Sequence, residues 1–78
     1  MKIAGNIYDS MPPLESIFWF NDYYSNLVEV AIHSKAIVDN MIEIGIVDLR
    51  EDMALIELPV ETVKGDWRVW VDRSKIII

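Results

Sequence analysis

The chain has 78 residues, 13 acidic against 7 basic, a formal net charge of −6 and no cysteine. That excludes a disulfide framework and a thiolate zinc site, and a chain this short holds one domain, 1–78, around one core. An apolar share of 53% excludes intrinsic disorder, and no run free of Asp, Glu, Lys and Arg exceeds six residues, so nothing reads as a transmembrane helix.

The opening segment, Met1-Lys2-Ile3-Ala4-Gly5-Asn6, lacks the apolar stretch of a secretory leader, which points to a cytoplasmic protein without membrane association. Residues 1–40 hold five acids and two bases, and residues 41–78 eight and five, so the negative charge is spread. Phosphate contacts need clustered cations, and the one loose cluster is Arg68, Arg73 and Lys75; direct nucleic-acid binding is disfavoured. An acidic surface keeps a protein soluble. It also suits a basic partner, and carboxylates can stand in for phosphates in a groove built for nucleic acid.

In chain order, Lys2–Tyr8 reads as a short edge strand, and Asp9-Ser10-Met11-Pro12-Pro13 as a break. Leu14, Ile17 and Phe18 at i, i+3, i+4, with Glu15 suited to the positive end of a helix dipole, predict a short helix or turn over 13–21. Residues 1–24 thus form an N-terminal arm of strand and helix. Leu27–His33 alternates, with Val28, Val30 and Ile32 on one side, and predicts a strand. A helix over 26–44 would be apolar on both faces, so the strand is preferred. Ala36–Met41 reads as loop or a single helical turn.

Ile42, Ile44 and Ile46 alternate, as do Ala54, Ile56 and Leu58, and the charged Arg50-Glu51-Asp52 between them predicts a β-hairpin. Gly45 suggests a bulge or sharp bend in its first strand, and Pro59 stops the second. Residues 60–66 form a loop ending in the turn signal Gly65-Asp66. Trp67–Val71 predicts a strand with Trp67, Val69 and Val71 facing the core and Arg68 and Trp70 opposite. Asp72–Lys75 reads as a short, 3₁₀-like turn and Ile76–Ile78 as a last strand. Five short strands at this spacing resemble, in architecture, an SH3-like barrel over residues 27–78. The fold expected is mostly β, with an α+β roll as the alternative. No internal repeat or low-complexity segment is visible.

No chemistry-bearing motif is present. His33 is the sole histidine, no serine sits in a nucleophile elbow, and Gly5, Gly45 and Gly65 are too far apart to cradle phosphate. Asp48, Glu51 and Asp52 lack the acid spacing of a calcium loop. The expectation is a non-enzyme with no cofactor. The densest feature is the aromatic run 17–24, where five of eight aromatic residues fall within 18–24. Packing on the barrel and an exposed patch for a protein partner both account for it; Trp and Tyr are enriched at binding centres. The expected contacts are Phe18, Trp19, Tyr23, Tyr24 and Trp70, with Asp22, Glu51, Asp52 and Asp66 as an acidic rim. The expected function is a small acidic module, of regulator or phage- or plasmid-inhibitor type, that binds and modulates or inhibits a protein with a basic surface, such as one that handles nucleic acid. The alternative is a structural subunit, a homo-oligomer paired through the isoleucine tail or a piece of a larger complex.

Overall fold

Ile and Val dominate the apolar residues, and β-branched side chains pack well on a pleated surface. The computed structural model describes residues 1–11 and 14–78, residues 9–11 by their backbone alone. It is mostly β: β1 (Lys2–Ala4), β2 (Asn6–Met11), β3 (Glu15–Asn21), β4 (Leu27–His33), β5 (Met41–Glu43), β6 (Gly45–Arg50), β7 (Met53–Glu57), β8 (Arg68–Asp72) and β9 (Ile76–Ile77). Single 3₁₀ turns, Ser34–Ala36 and Arg73–Lys75, follow β4 and β8. The strands form three antiparallel sheets in the orders β5-β1-β9, β2-β3-β4 and β6-β7-β8.

No five-stranded barrel closes, and the described residues contain no α-helix. The helix expected over 13–21 is strand β3. Alternation of Ser16, Phe18 and Phe20 inward against Ile17 and Trp19 outward decides it, and seven residue pairs with β4 fix the register. The helical spacing of Leu14, Ile17 and Phe18 was a coincidence of residues apolar on both faces. The expected break at 9–13 also shifts, because residues 9–11 continue β2; Pro12 and Pro13 lie outside the described residues. The arm of residues 1–24 is no separate layer, since β2 and β3 share a sheet with β4.

The hairpin expected around 50–52 is present as β6–β7, turning at Glu51-Asp52. The strand before it is interrupted at Ile44, and the bulge falls at Val47 rather than at Gly45. Strands β4 and β9 and the second 3₁₀ turn lie where the sequence placed them, and β8 lies one residue later than expected, at Arg68–Asp72.

The molecule contains a structural repeat that the sequence reading missed. Strand β1 pairs with β5 about Ile3↔Ile42, two residues 39 apart in the chain, with Lys2↔Glu43 and Ala4↔Met41 symmetrically on either side. Exchange of the halves 1–39 and 40–78 maps much of the backbone hydrogen-bond pattern onto itself. The Gly5 amide donates to the Asn40 carbonyl (2.9 Å), and the Ile44 amide to the Met1 carbonyl (2.9 Å). The bulge at Tyr8 in β2 matches the bulge at Val47 in β6. Val38↔Met41 matches Ile77↔Lys2. His33 Nδ1 accepts from the Lys35 amide at one 3₁₀ turn, and Asp72 Oδ1 from the Ser74 amide at the other. The offset slips by one residue within the hairpins, where Phe18 opposes Ile7 and Ile56 opposes Ile46. This is the reciprocity of an isologous dimer interface, in which i meets j and j meets i, written into one chain.

The core draws from both halves and all three sheets: Ile3, Phe18, Phe20, Val28, Val30 and Ile32 meet Ile42, Ile44, Ala54, Ile56, Leu58 and Val71. Ser16, buried among them, is satisfied by the Ser34 hydroxyl at 2.8 Å.

Candidate functional site

Each half lends a loop to the other. In the loop after β3, the Asp22 carboxylate accepts from the Tyr24 and Asn26 amides, both at 2.8 Å. Ser25 takes a positive φ of 64° to close the turn. In the loop after β7, the Thr62 hydroxyl accepts from the Asp66 amide (3.0 Å), and Gly65 takes the positive φ. These are the same device with different residues, a short oxygen-bearing side chain satisfying amides that have no strand partner. The first loop docks on β8 through the Tyr23 amide and the Trp70 carbonyl (2.7 Å). The second docks on β4 through the Val63 amide and the Glu29 carbonyl (2.8 Å).

The first crossing gathers an aromatic and acidic surface. The Tyr23 hydroxyl donates to Asp52 Oδ2 at 2.8 Å, tying the loop to the β6–β7 turn. Tyr24 stands edge-on to Tyr23 with ring centres 5.3 Å apart, and is 63% exposed. Trp70 lies on the outward face of β8, opposite Leu55 of β7. The Arg50 guanidinium covers its ring at 5.6 Å from the centre and is held by Asp48 at 3.2 Å. Arg73 reaches from the second 3₁₀ turn to the Glu51 carbonyl at 3.0 Å. The hydrogen bond to the Asp52 carboxylate raises the Tyr23 pKa above its ordinary value, because ionising the phenol would lose that bond; slight desolvation and the Asp52 charge add to it. Asp72, accepting from the Ser74 amide and hydroxyl, is held below the usual carboxylate range.

Of the nine contacts expected from sequence, Asp22, Tyr23, Tyr24, Glu51, Asp52 and Trp70 come together here. Phe18 does not: it is fully buried in the core beside Phe20 and has no surface to offer a partner. Trp19 stands elsewhere, on the outward face of β3 against Tyr8. Asp66 lines a cleft of about 270 Å³ between the two loops, with Asp22, Glu29 and Lys64. Trp67, expected in the core, precedes β8 and is 50% exposed beside Glu43, Glu57 and Pro59, because β8 begins one residue later than its alternation implied. Sequence reasoning missed Arg50, whose signal was its place beside Glu51 and Asp52, and read Arg73 only as one of a loose basic cluster.

Among the described residues no group of three His, Cys, Asp or Glu is placed to hold a metal ion, and no helix is long and apolar enough to cross a membrane. No family model, curated protein or solved structure matches this chain.

Proposed function

We propose that this protein is a non-enzymatic interaction module that binds a basic surface of another protein and thereby modulates or inhibits it. The observation that carries this reading is the surface around Tyr23, Tyr24 and Trp70, with Asp22, Glu51 and Asp52 beside it. Aromatic side chains of this kind provide contact area at low entropic cost, and flanking carboxylates speed and orient the encounter with a cationic partner. The net charge of −6 extends that steering over the whole molecule.

The test is affinity capture from the native host with the wild-type chain and with Tyr24→Ala and Trp70→Ala, each variant first shown folded by its amide NMR spectrum. The expected result is one enriched basic protein whose recovery falls with rising salt and with both substitutions. Unchanged recovery by both folded variants refutes the assignment of this surface.

The structural-subunit reading draws on Val47, Leu49 and Ile77, exposed at the edge strands β6 and β9. The bulge at Val47 works against edge pairing at β6. Sedimentation of the purified chain distinguishes the two: a concentration-dependent oligomer favours the subunit.

A further inference from the structure

Exchange of the halves gives the paired strand residues counterparts, and the charges of the two outward faces do not correspond. On the face of β6–β8, Trp70 and Glu57 already hold a cation from this chain. Arg50 lies over Trp70, and Glu57 meets Arg68 across the strands at 3.5 Å. On the face of β2–β4, the pair corresponding to Glu57 and Arg68 is Trp19 and Glu29, directly opposed in register. Tyr8 flanks the Trp19 ring with centres 6.4 Å apart and is itself 54% exposed. All three arginines, Arg50, Arg68 and Arg73, belong to the second half; the first has only Lys2 and Lys35 as basic residues. Among the described residues no cation lies within ion-pair distance of Glu29. Lys64 lines the cleft beside Glu29 and Lys75 the groove on the other side of Trp19, but among the described residues the only cation over an aromatic ring is Arg50.

We infer that Trp19 and Glu29 form a receiving site for an arginine side chain of a protein partner, supplied from outside where the other half supplies its own. The indole face attracts a cation through its quadrupole, and the carboxylate one strand away accepts from the same group. Arginine fits better than lysine, because its planar guanidinium stacks on the ring while its fork reaches the carboxylate, and it is more weakly hydrated. The inference rests on the basic-partner reading but not on the Tyr23 surface.

The experiment titrates the ¹⁵N-labelled chain with hexa-arginine, reading the indole N–H signals of Trp19, Trp67 and Trp70, each assigned by its Trp→Phe variant. The Trp19 signal is expected to shift saturably and the most. Glu29→Gln, a solvent-facing change that keeps the fold, is expected to weaken binding about five-fold at low salt, and hexa-lysine to bind more weakly than hexa-arginine. A Trp19 signal that does not move, or Glu29→Gln binding as tightly as wild type, overturns the site. If the peptide moves only Trp67 or Trp70, this site fails while the basic-partner reading stands. If Trp19 responds and capture survives Tyr24→Ala and Trp70→Ala, the site stands and the Tyr23 surface fails.

Discussion

The two halves of this chain run the same strand pairings with different volumes. In the first, Gly5 leaves room for a ring: a Cβ built there would lie 2.5 Å from Phe18 Cζ. In the second, the counterpart of Gly5 is Ile44, a buried side chain, and the counterpart of Phe18 is the smaller Ile56. Glycine with phenylalanine in one half and isoleucine with isoleucine in the other fill matching space. The pairing skeleton is thus maintained by the total volume at the position, as expected for interiors packed near crystal density, and not by either residue alone.

The comparison breaks most visibly at its axis. Ile3 and Ile42 face each other in the β1–β5 pair and both are buried. Ile3→Ala and Ile42→Ala are expected to destabilise by similar amounts, about 3–4 kcal/mol each, in urea unfolding. A difference beyond about 1.5 kcal/mol would mean that the halves do not share this centre equally. The volume exchange gives a sharper test. Gly5→Ala is expected to cost about 3 kcal/mol, because the new methyl also meets the Trp19 carbonyl, a backbone atom, at 2.6 Å. Adding Phe18→Ile removes the ring atoms but not that carbonyl, so the double variant should lose less than the sum of the single losses by about 1 kcal/mol. Strict additivity would show that the two positions do not compete for one space.

These pairings explain what could be read from the sequence. Strand β4, the β6–β7 hairpin, the turn at 73–75 and the final strand were legible because their signals are local: alternation, charged turn residues, a capping aspartate. Strand β3 was not, since Phe18-Trp19-Phe20 is apolar on both faces and lost its period. The repeat was hidden because few matched positions keep identity, among them Ile3 and Ile42, Ile7 and Ile46, Val30 and Val69, Ile37 and Ile76. One-residue slips in the hairpins also blur any fixed period. The site was legible as residue types, but its assembly was not. Tyr23 meets Asp52 and Trp70 only because a loop of one half crosses onto the other.

The crossing loops give a smaller effect. Asp22→Ala strips two amides of their acceptor and is expected to cost about 1–2 kcal/mol, while Thr62→Val removes one bond and is expected to cost about 1 kcal/mol. Hydrogen exchange at the Asn26 and Asp66 amides should rise locally in the respective variants. A global rise in exchange from Asp22→Ala would show that the first loop, and not only its turn, holds the halves together.

The smallest effect isolates what one half has and the other lacks. Tyr23 reaches across to Asp52, but its counterpart Val63 has no hydroxyl, so the tie between loop and opposite turn exists once. The bond needs the protonated phenol, and the folded pKa of Tyr23 is raised above its unfolded value of about 10. The stabilisation from this bond is therefore fully present below that unfolded value and lost as pH rises through the higher folded one. Asp72 behaves in the opposite sense. Its folded pKa is lowered, so its contribution is present above the unfolded value of about 3.9 and lost as pH falls through the folded one. An NMR titration of the Tyr23 ring should place its midpoint above the ordinary phenol, and Asp52→Asn should bring it down, because the amide oxygen is a weaker, uncharged acceptor. If the midpoint is unmoved by Asp52→Asn, the tie is not formed in solution, and the first loop is held to β8 by its backbone alone, as the second is held to β4.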